Sequence, residues 1–136
     1  MIQFKHIPEN MWPDEKQHVE YAEVYRATHS ADDLKVTDFL PWNIEYANQK
    51  KTFKNLFKQP EYGMSVYTNL DSLKSTVGKF PKLNNATNAY AKGCTSIKRG
   101  VSLEENSQHH VEYFLFDYEG NSPKDDFEIV EVRKHE

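Results

Sequence analysis

His109-His110-Val111-Glu112-Tyr113-Phe114-Leu115-Phe116 and Phe127-Glu128-Ile129-Val130-Glu131-Val132 hold the densest β-branched and aromatic content of the chain. Such residues favour the pleated, half-buried surface of a strand. Between the two runs lies Asp117 to Asp126, with Gly120, Asn121, Ser122 and Pro123 at its centre. Gly supplies positive φ, Pro fixes φ, and Asn, Ser and Asp bond their own backbone, so this stretch predicts a turn. Two strand-like runs around a turn predict an antiparallel pair at the heart of a sheet.

The rest of the chain fits around that pair. Residues 19–29 alternate, with Val19, Tyr21, Glu23, Tyr25 and Ala27 on one face and Glu20, Ala22, Val24, Arg26 and Thr28 on the other. That predicts a strand with one face on the core and the other on solvent or a cleft. Ser30, with Asp33 three residues on, predicts one capped helical turn. Phe39-Leu40-Pro41-Trp42 reads as an aromatic loop, serving as a lid over the core or as a stacking wall for a ring. Residues 43–58 predict a helix with Asn43 as N-cap and Lys50, Lys51, Lys54 and Lys58 mostly off its apolar stripe. Residues 63–68 read as a second strand. Leu70, Leu73, Val77 and Phe80 recur at helical spacing, which predicts a helix over 69–81 that Pro81 stops. An Asn-rich loop follows over 82–88, then a third strand over 89–97 with a bulge or a close backbone approach at Gly93. Residues 101–103 continue the sheet.

The fold class is therefore α+β: a mainly antiparallel sheet of about five strands, with one or two helices on one face. The 136 residues suit a single domain over 1–136, with residues 1–18 as an arm or edge strand and 133–136 as a charged tail. A chain of this size buries roughly 65–70% of its unfolded surface, so it needs no disulfide or structural metal. Its 13% aromatic content predicts an aromatic core.

The net charge of −4 argues against general nucleic-acid binding, which requires a concentrated cationic face. Cys94 stands alone, and no apolar leader precedes the first strand, so the expected compartment is a reducing cytoplasm. No run of about 18 apolar residues is present, so no membrane span is expected. The phosphate-binding Gly-x-x-x-x-Gly-Lys loop, Gly-x-Gly-x-x-Gly, His-Glu-x-x-His, Cys-x-x-Cys and Gly-x-Ser-x-Gly are all absent from the sequence. Of the six histidines, His109 and His110 are adjacent and point apart in a strand. A metal site would need His110 and Glu112 with a distant ligand such as His29. None is expected. Cysteine catalysis would need His109 or His110 across from Cys94.

Two functional readings follow. The first is a non-enzymatic intracellular protein that binds a protein or small ligand, with no cofactor. Eight tyrosines support it, since tyrosine is enriched at interfaces. Tyr25, His29, Trp42, Tyr67 and His110 are its candidate binding residues. The second rests on the order Arg26, Ser65, Glu112 on successive strands, with Glu128 or Glu131 as alternatives to Glu112. This order resembles that of ADP-ribosyltransferase-like folds. The resemblance implies NAD as substrate, with Arg26 or a histidine holding the dinucleotide. Ser65 would support the binding strand and the glutamate would stabilise the ribosyl cation. The chain departs from the family in lacking Ser-Thr-Ser and Glu-x-Glu.

Overall fold

The computed structural model describes residues 3–48 and 58–134. Six strands form one sheet: β1 (Val24–Thr28), β2 (Met64–Tyr67), β3 (Ala89–Gly93), β4 (Gly100–Ser102), β5 (His110–Leu115) and β6 (Phe127–Val132). Their order is β4-β5-β2-β1-β3-β6, and every neighbouring pair is antiparallel. Among the described residues three α-helices accompany them: α1 (Trp42–Asn48), α2 (Leu70–Lys79) and α3 (Pro81–Ala86). The architecture is α+β, with one strand more than the sequence suggests. No helix among the described residues is long and apolar enough to cross a membrane.

The expected pairing of β5 with β6 is wrong. β5 lies between β4 and β2, whereas β6 forms the opposite edge beside β3. A strand has two hydrogen-bonding edges, and β2 and β4 take both edges of β5. The connecting segment is also longer than the two to five residues of a typical hairpin loop. It is tied down along its length. Arg99 Nε donates to Asp126 at 3.0 Å and its Nη1 to Asn121 at 2.7 Å. The Asn121 amide donates to the Lys98 carbonyl at 2.8 Å.

The sheet curls so that its two ends meet over a common core. Tyr113 and Leu115 of β5 and Phe127 of β6 share one apolar cluster with Val24, Phe39, Met64, Val66, Ala91 and Val111. The Tyr113 hydroxyl reaches across to the Ser96 backbone, accepting from its N–H at 3.0 Å. Residues 19–21 help to close the curl and are not part of β1. The Val19 N–H donates to Ser102 of β4 at 2.8 Å, and the Thr95 N–H, just past β3, donates to Tyr21 at 3.0 Å.

Gly93 is a point of close approach: a Cβ there would lie 2.5 Å from the Asp126 carbonyl oxygen. The register shift in this part of the sheet falls at Tyr90/Ala91 instead. Phe4 and Ile7 of the arm pack with Tyr62, Val101 and Phe114, and the half-buried Trp12 donates its indole N–H to the Ile7 carbonyl at 2.8 Å.

The helix over 70–79 forms as expected. The Asn69 side chain accepts from the Ser72 N–H at 2.9 Å, and Leu73 and Val77 are buried on the sheet. Pro81 does not end the helical path; it begins α3, because a first-turn position has no N–H partner to lose. Residues expected as a loop are therefore helical. Arg133 does not belong to a free tail: its Nη1 donates to the Asn84 and Thr87 carbonyls at 2.8 and 2.9 Å. The helix expected over 43–58 starts one residue earlier, with Glu45 N–H donating to Pro41, and Asn43 is not its cap. Lys50, Lys51 and Lys54 lie outside the described residues.

Candidate functional site

β1 lies between β2 and β3, but its two seams differ. It pairs with β3 at five successive positions and with β2 only at Tyr25↔Tyr67. Past that single pair, the guanidinium of Arg26 occupies the seam. Its Nε donates to the Asp38 carbonyl at 2.7 Å, Nη1 to the Ser65 carbonyl at 2.7 Å, and Nη2 to Leu40 at 3.3 Å. Nη2 also pairs with the Glu45 carboxylate at 2.5 Å. Arg26 is 8% exposed and replaces the missing ladder bonds by binding the 38–40 lid to β2. A fixed fork of five donors suits one side chain to three carbonyls and a carboxylate.

The lid has its own organiser. No capped turn forms at Ser30 with Asp33. Asp38, at the end of a 3₁₀ turn over Val36–Asp38, accepts from the His29, Ser30 and Lys35 N–H groups at 3.0, 3.1 and 2.9 Å. Burial works to raise its pKa. Hydrogen bonds from Ser30 and Lys35 outweigh that and hold the carboxyl below its ordinary range. In the aromatic loop Phe39 is fully buried in the core, as a lid requires, while Trp42 remains 39% exposed.

A cavity of about 700 Å³ opens over this seam. Its walls include Arg26, His29, Trp42 and Ser65 on one side, and Phe80 and Leu83 of the α2–α3 corner on the other. The volume falls within the roughly 300–1,000 Å³ of small-molecule sites. Tyr67, another candidate binding residue, also faces it.

Behind Ser65 lies β5. Register places Ser65 opposite Glu112 and Tyr67 opposite His110, so all four project from one face. His110 Nε2 is 2.8 Å from the Ser65 hydroxyl, and its Nδ1 is 3.5 Å from the Glu112 carboxylate. The Tyr67 ring packs on the imidazole with centroids 5.0 Å apart. Burial pushes Glu112 up to about 7, and it lowers the pKa of His110. Burial thus works against the charged form of both groups.

Arg26 and Ser65 line the cavity, whereas Glu112 and His110 do not; Glu112 stands opposite Ser65 across the β2–β5 seam, and Arg26 reaches only the Ser65 backbone carbonyl. The alternative glutamates do not join them. Both lie on the far edge strand, where Glu131 pairs with Lys74 at 2.7 Å and Glu128 sits opposite Lys92. Tyr25 is directed elsewhere: it packs beside α2 and its hydroxyl donates to Glu23 at 2.6 Å. His29 lines the cavity and pairs with Asp38 at 3.0 Å, so it does not join His110 and Glu112 as a metal ligand. His109 precedes β5 at φ 64° and pairs with Glu105 at 3.0 Å. Cys94 follows β3, which is not a neighbour of β5. Burial pushes its thiol pKa up, with Asp126 and Glu20 adding to the effect, so it has no activated nucleophile character.

Among the described residues, one cluster has metal-ligating composition: His6, Asp117 and Glu119 at the surface. Sequence reading also missed Asp38, Glu45 and the α3 wall. Phe80 held the one available signal. It extends the apolar stripe yet directly precedes Pro81, and in the fold it is 57% exposed.

Comparison with known proteins gave no match to any family model, curated protein or solved structure.

Proposed function

We propose that the chain is an NAD-consuming enzyme of the ADP-ribosyltransferase type, with Glu112 as its catalytic carboxylate. The observation that supports this reading is the succession Arg26, Ser65, Glu112 on three neighbouring strands: Arg26 Nη1 donates to the Ser65 carbonyl across the sparsely paired β1–β2 seam, and Glu112 stands opposite Ser65 in the β2–β5 register. The sequence order had suggested these residues, and the alternatives Glu128 and Glu131 lie apart from them.

The chemistry assigned to each residue is specific. The bond between ribose C1′ and the nicotinamide nitrogen breaks, and its electron pair leaves with neutral nicotinamide. Positive charge develops on the ribosyl carbon and ring oxygen. An ionised Glu112 in a desolvated site stabilises that charge more strongly than a solvated carboxylate, because little solvent reorganisation is needed. An acceptor hydroxyl, amine or water then bonds to C1′ and releases its proton. Arg26, whose donors are held by the Asp38, Ser65 and Leu40 carbonyls and whose charge is paired with Glu45, fixes Ser65 and the lid. Trp42 and Phe80 offer ring faces for the flat ends of a dinucleotide.

The test is release of nicotinamide from NAD by the purified chain, followed by chromatography, with Glu112→Gln as the control. Turnover by the wild type and its loss in the variant support the reading. Absence of both turnover and an NAD-dependent thermal shift at millimolar NAD overturns it. The exposed Phe80, Leu83 and Trp42 around the cavity favour a second reading, a binding module for a protein partner. That reading expects binding to be lost on Phe80→Ser and retained on Glu112→Gln.

A further inference from the structure

We infer that His110 is a positioning residue: its Nδ1–H aims the Glu112 carboxylate and favours its charged form, while its Nε2 fixes the Ser65 hydroxyl. The assignment rests on the reading of Glu112 as the catalytic carboxylate and extends it to the residue that serves it.

Three contacts define the position of the imidazole. Nε2 is 2.8 Å from Ser65 Oγ, Nδ1 is 3.5 Å from Glu112 Oε1, and the Tyr67 ring packs at 5.0 Å. Register accounts for all of them. Ser65 and Tyr67 on β2 lie opposite Glu112 and His110 on β5, so four side chains of alternating positions share one patch. The His110 side chain is 18% exposed and that of Glu112 is 25% exposed.

A neutral imidazole has one N–H and one bare nitrogen. Beside an ionised Glu112, only the Nδ1–H tautomer serves both neighbours at once, donating to the carboxylate and accepting from the serine hydroxyl. The opposite tautomer would turn a lone pair towards Glu112. A donor directed at the charged form of a carboxylate favours that form, which here opposes the effect of burial. The separation of 3.5 Å is longer than a strong hydrogen bond, as catalytic contacts often are before substrate binds. The charged groups on the surrounding elements already have partners. Arg26 of β1 pairs with Glu45 of α1, and Glu105 and His109, in the loop before β5, pair with each other. Glu105 also accepts from the Thr68 hydroxyl at the end of β2. His110 is therefore the titratable group that faces Glu112 within this patch.

The experiment is NMR on the full chain labelled with ¹⁵N-histidine and ¹³C-glutamate, comparing wild type, His110→Ala and His110→Asn. The wild type is expected to show His110 as the Nδ1–H tautomer. The Glu112 carboxyl midpoint is expected to rise by about one unit or more in His110→Ala, because the variant loses the donor. In His110→Asn the amide donor restores part of the shift. An Nε2–H tautomer, or a Glu112 midpoint that is unchanged or lower in His110→Ala, overturns the inference. These readouts require no turnover, so failure of the NAD reading is recorded separately. Where NAD is turned over, His110→Ala lowers kcat about tenfold or more with KM within twofold, and the acid limb of the pH profile moves up. Equal kcat and an unmoved limb overturn the inference.

Discussion

β5 and β6 look alike in sequence and behave differently in the fold. Each is a six-residue strand of β-branched and aromatic residues bearing glutamates. β5 has a partner on both edges, and its Glu112 is buried enough to titrate near 7. β6 lies at the edge of the sheet, where Val130 and Val132 are 44% and 55% exposed and Glu131 meets Lys74 in the open. Position in the sheet, and not local sequence, therefore determines whether burial raises the pKa of a strand glutamate. A carboxylate at an edge keeps its water, whereas one between two partnered strands loses it.

The sharpest way to break this comparison is through activity. Glu112→Gln should reduce nicotinamide release by about 10²–10³-fold, the size seen when one preorganised electrostatic contact is removed. Glu128→Gln and Glu131→Gln should leave it unchanged. A comparable loss in either β6 variant would place the chemistry elsewhere.

The sparsely paired seam between β1 and β2 should be fragile. Arg26→Ala leaves three lid and strand carbonyls and Glu45 without their donor, and it should cost about 3 kcal/mol in urea unfolding. Arg99→Ala, on the β6 side, removes a half-exposed surface pair and should cost clearly less.

Glu112 also predicts an unusual gain in stability. Its pKa rises from 4.5 unfolded to about 7 folded, so the folded state binds the proton more tightly. The sign is therefore opposite to that of a typical carboxylate. This group costs nothing below about pH 4.5, and its penalty grows until pH passes 7. At about 1.4 kcal/mol per unit the full penalty is on the order of 3 kcal/mol. Glu112→Gln should raise the melting temperature at pH 8–9 and leave it nearly unchanged at pH 4. The same titration sets the activity, which should climb through pH 7 as Glu112 ionises. The smallest effect is expected at the edge: Glu131→Gln should leave melting unchanged at every pH, because its partner Lys74 is a surface side chain.

How far the sequence could be read follows from the same physics. Period-two alternation marked Arg26, Ser65 and Glu112 as strand residues, and it placed His110 and Glu112 on one face. Helical spacing and a cap located α2. These signals are local, and local backbone preference is written in adjacent residues. The pairing of β5 with β6 was misread because a turn-rich linker resembles a hairpin, whichever strands it joins. α3 was missed because a proline reads as a stop, although at a first helical turn it is a start. Asp38 and Glu45 gave no signal, since an acid beside backbone N–H groups or a buried guanidinium is defined only by what folds against it.

By itself, then, the sequence determined an α+β chain with an antiparallel sheet, and the residue types that carry charge on its central strands. The tertiary structure alone decided strand order, the single-pair seam between β1 and β2, and the burial that separates Glu112 from Glu131. Strand pairing partners and dielectric environment are set by contacts between residues far apart in the chain, and no window of adjacent residues contains them.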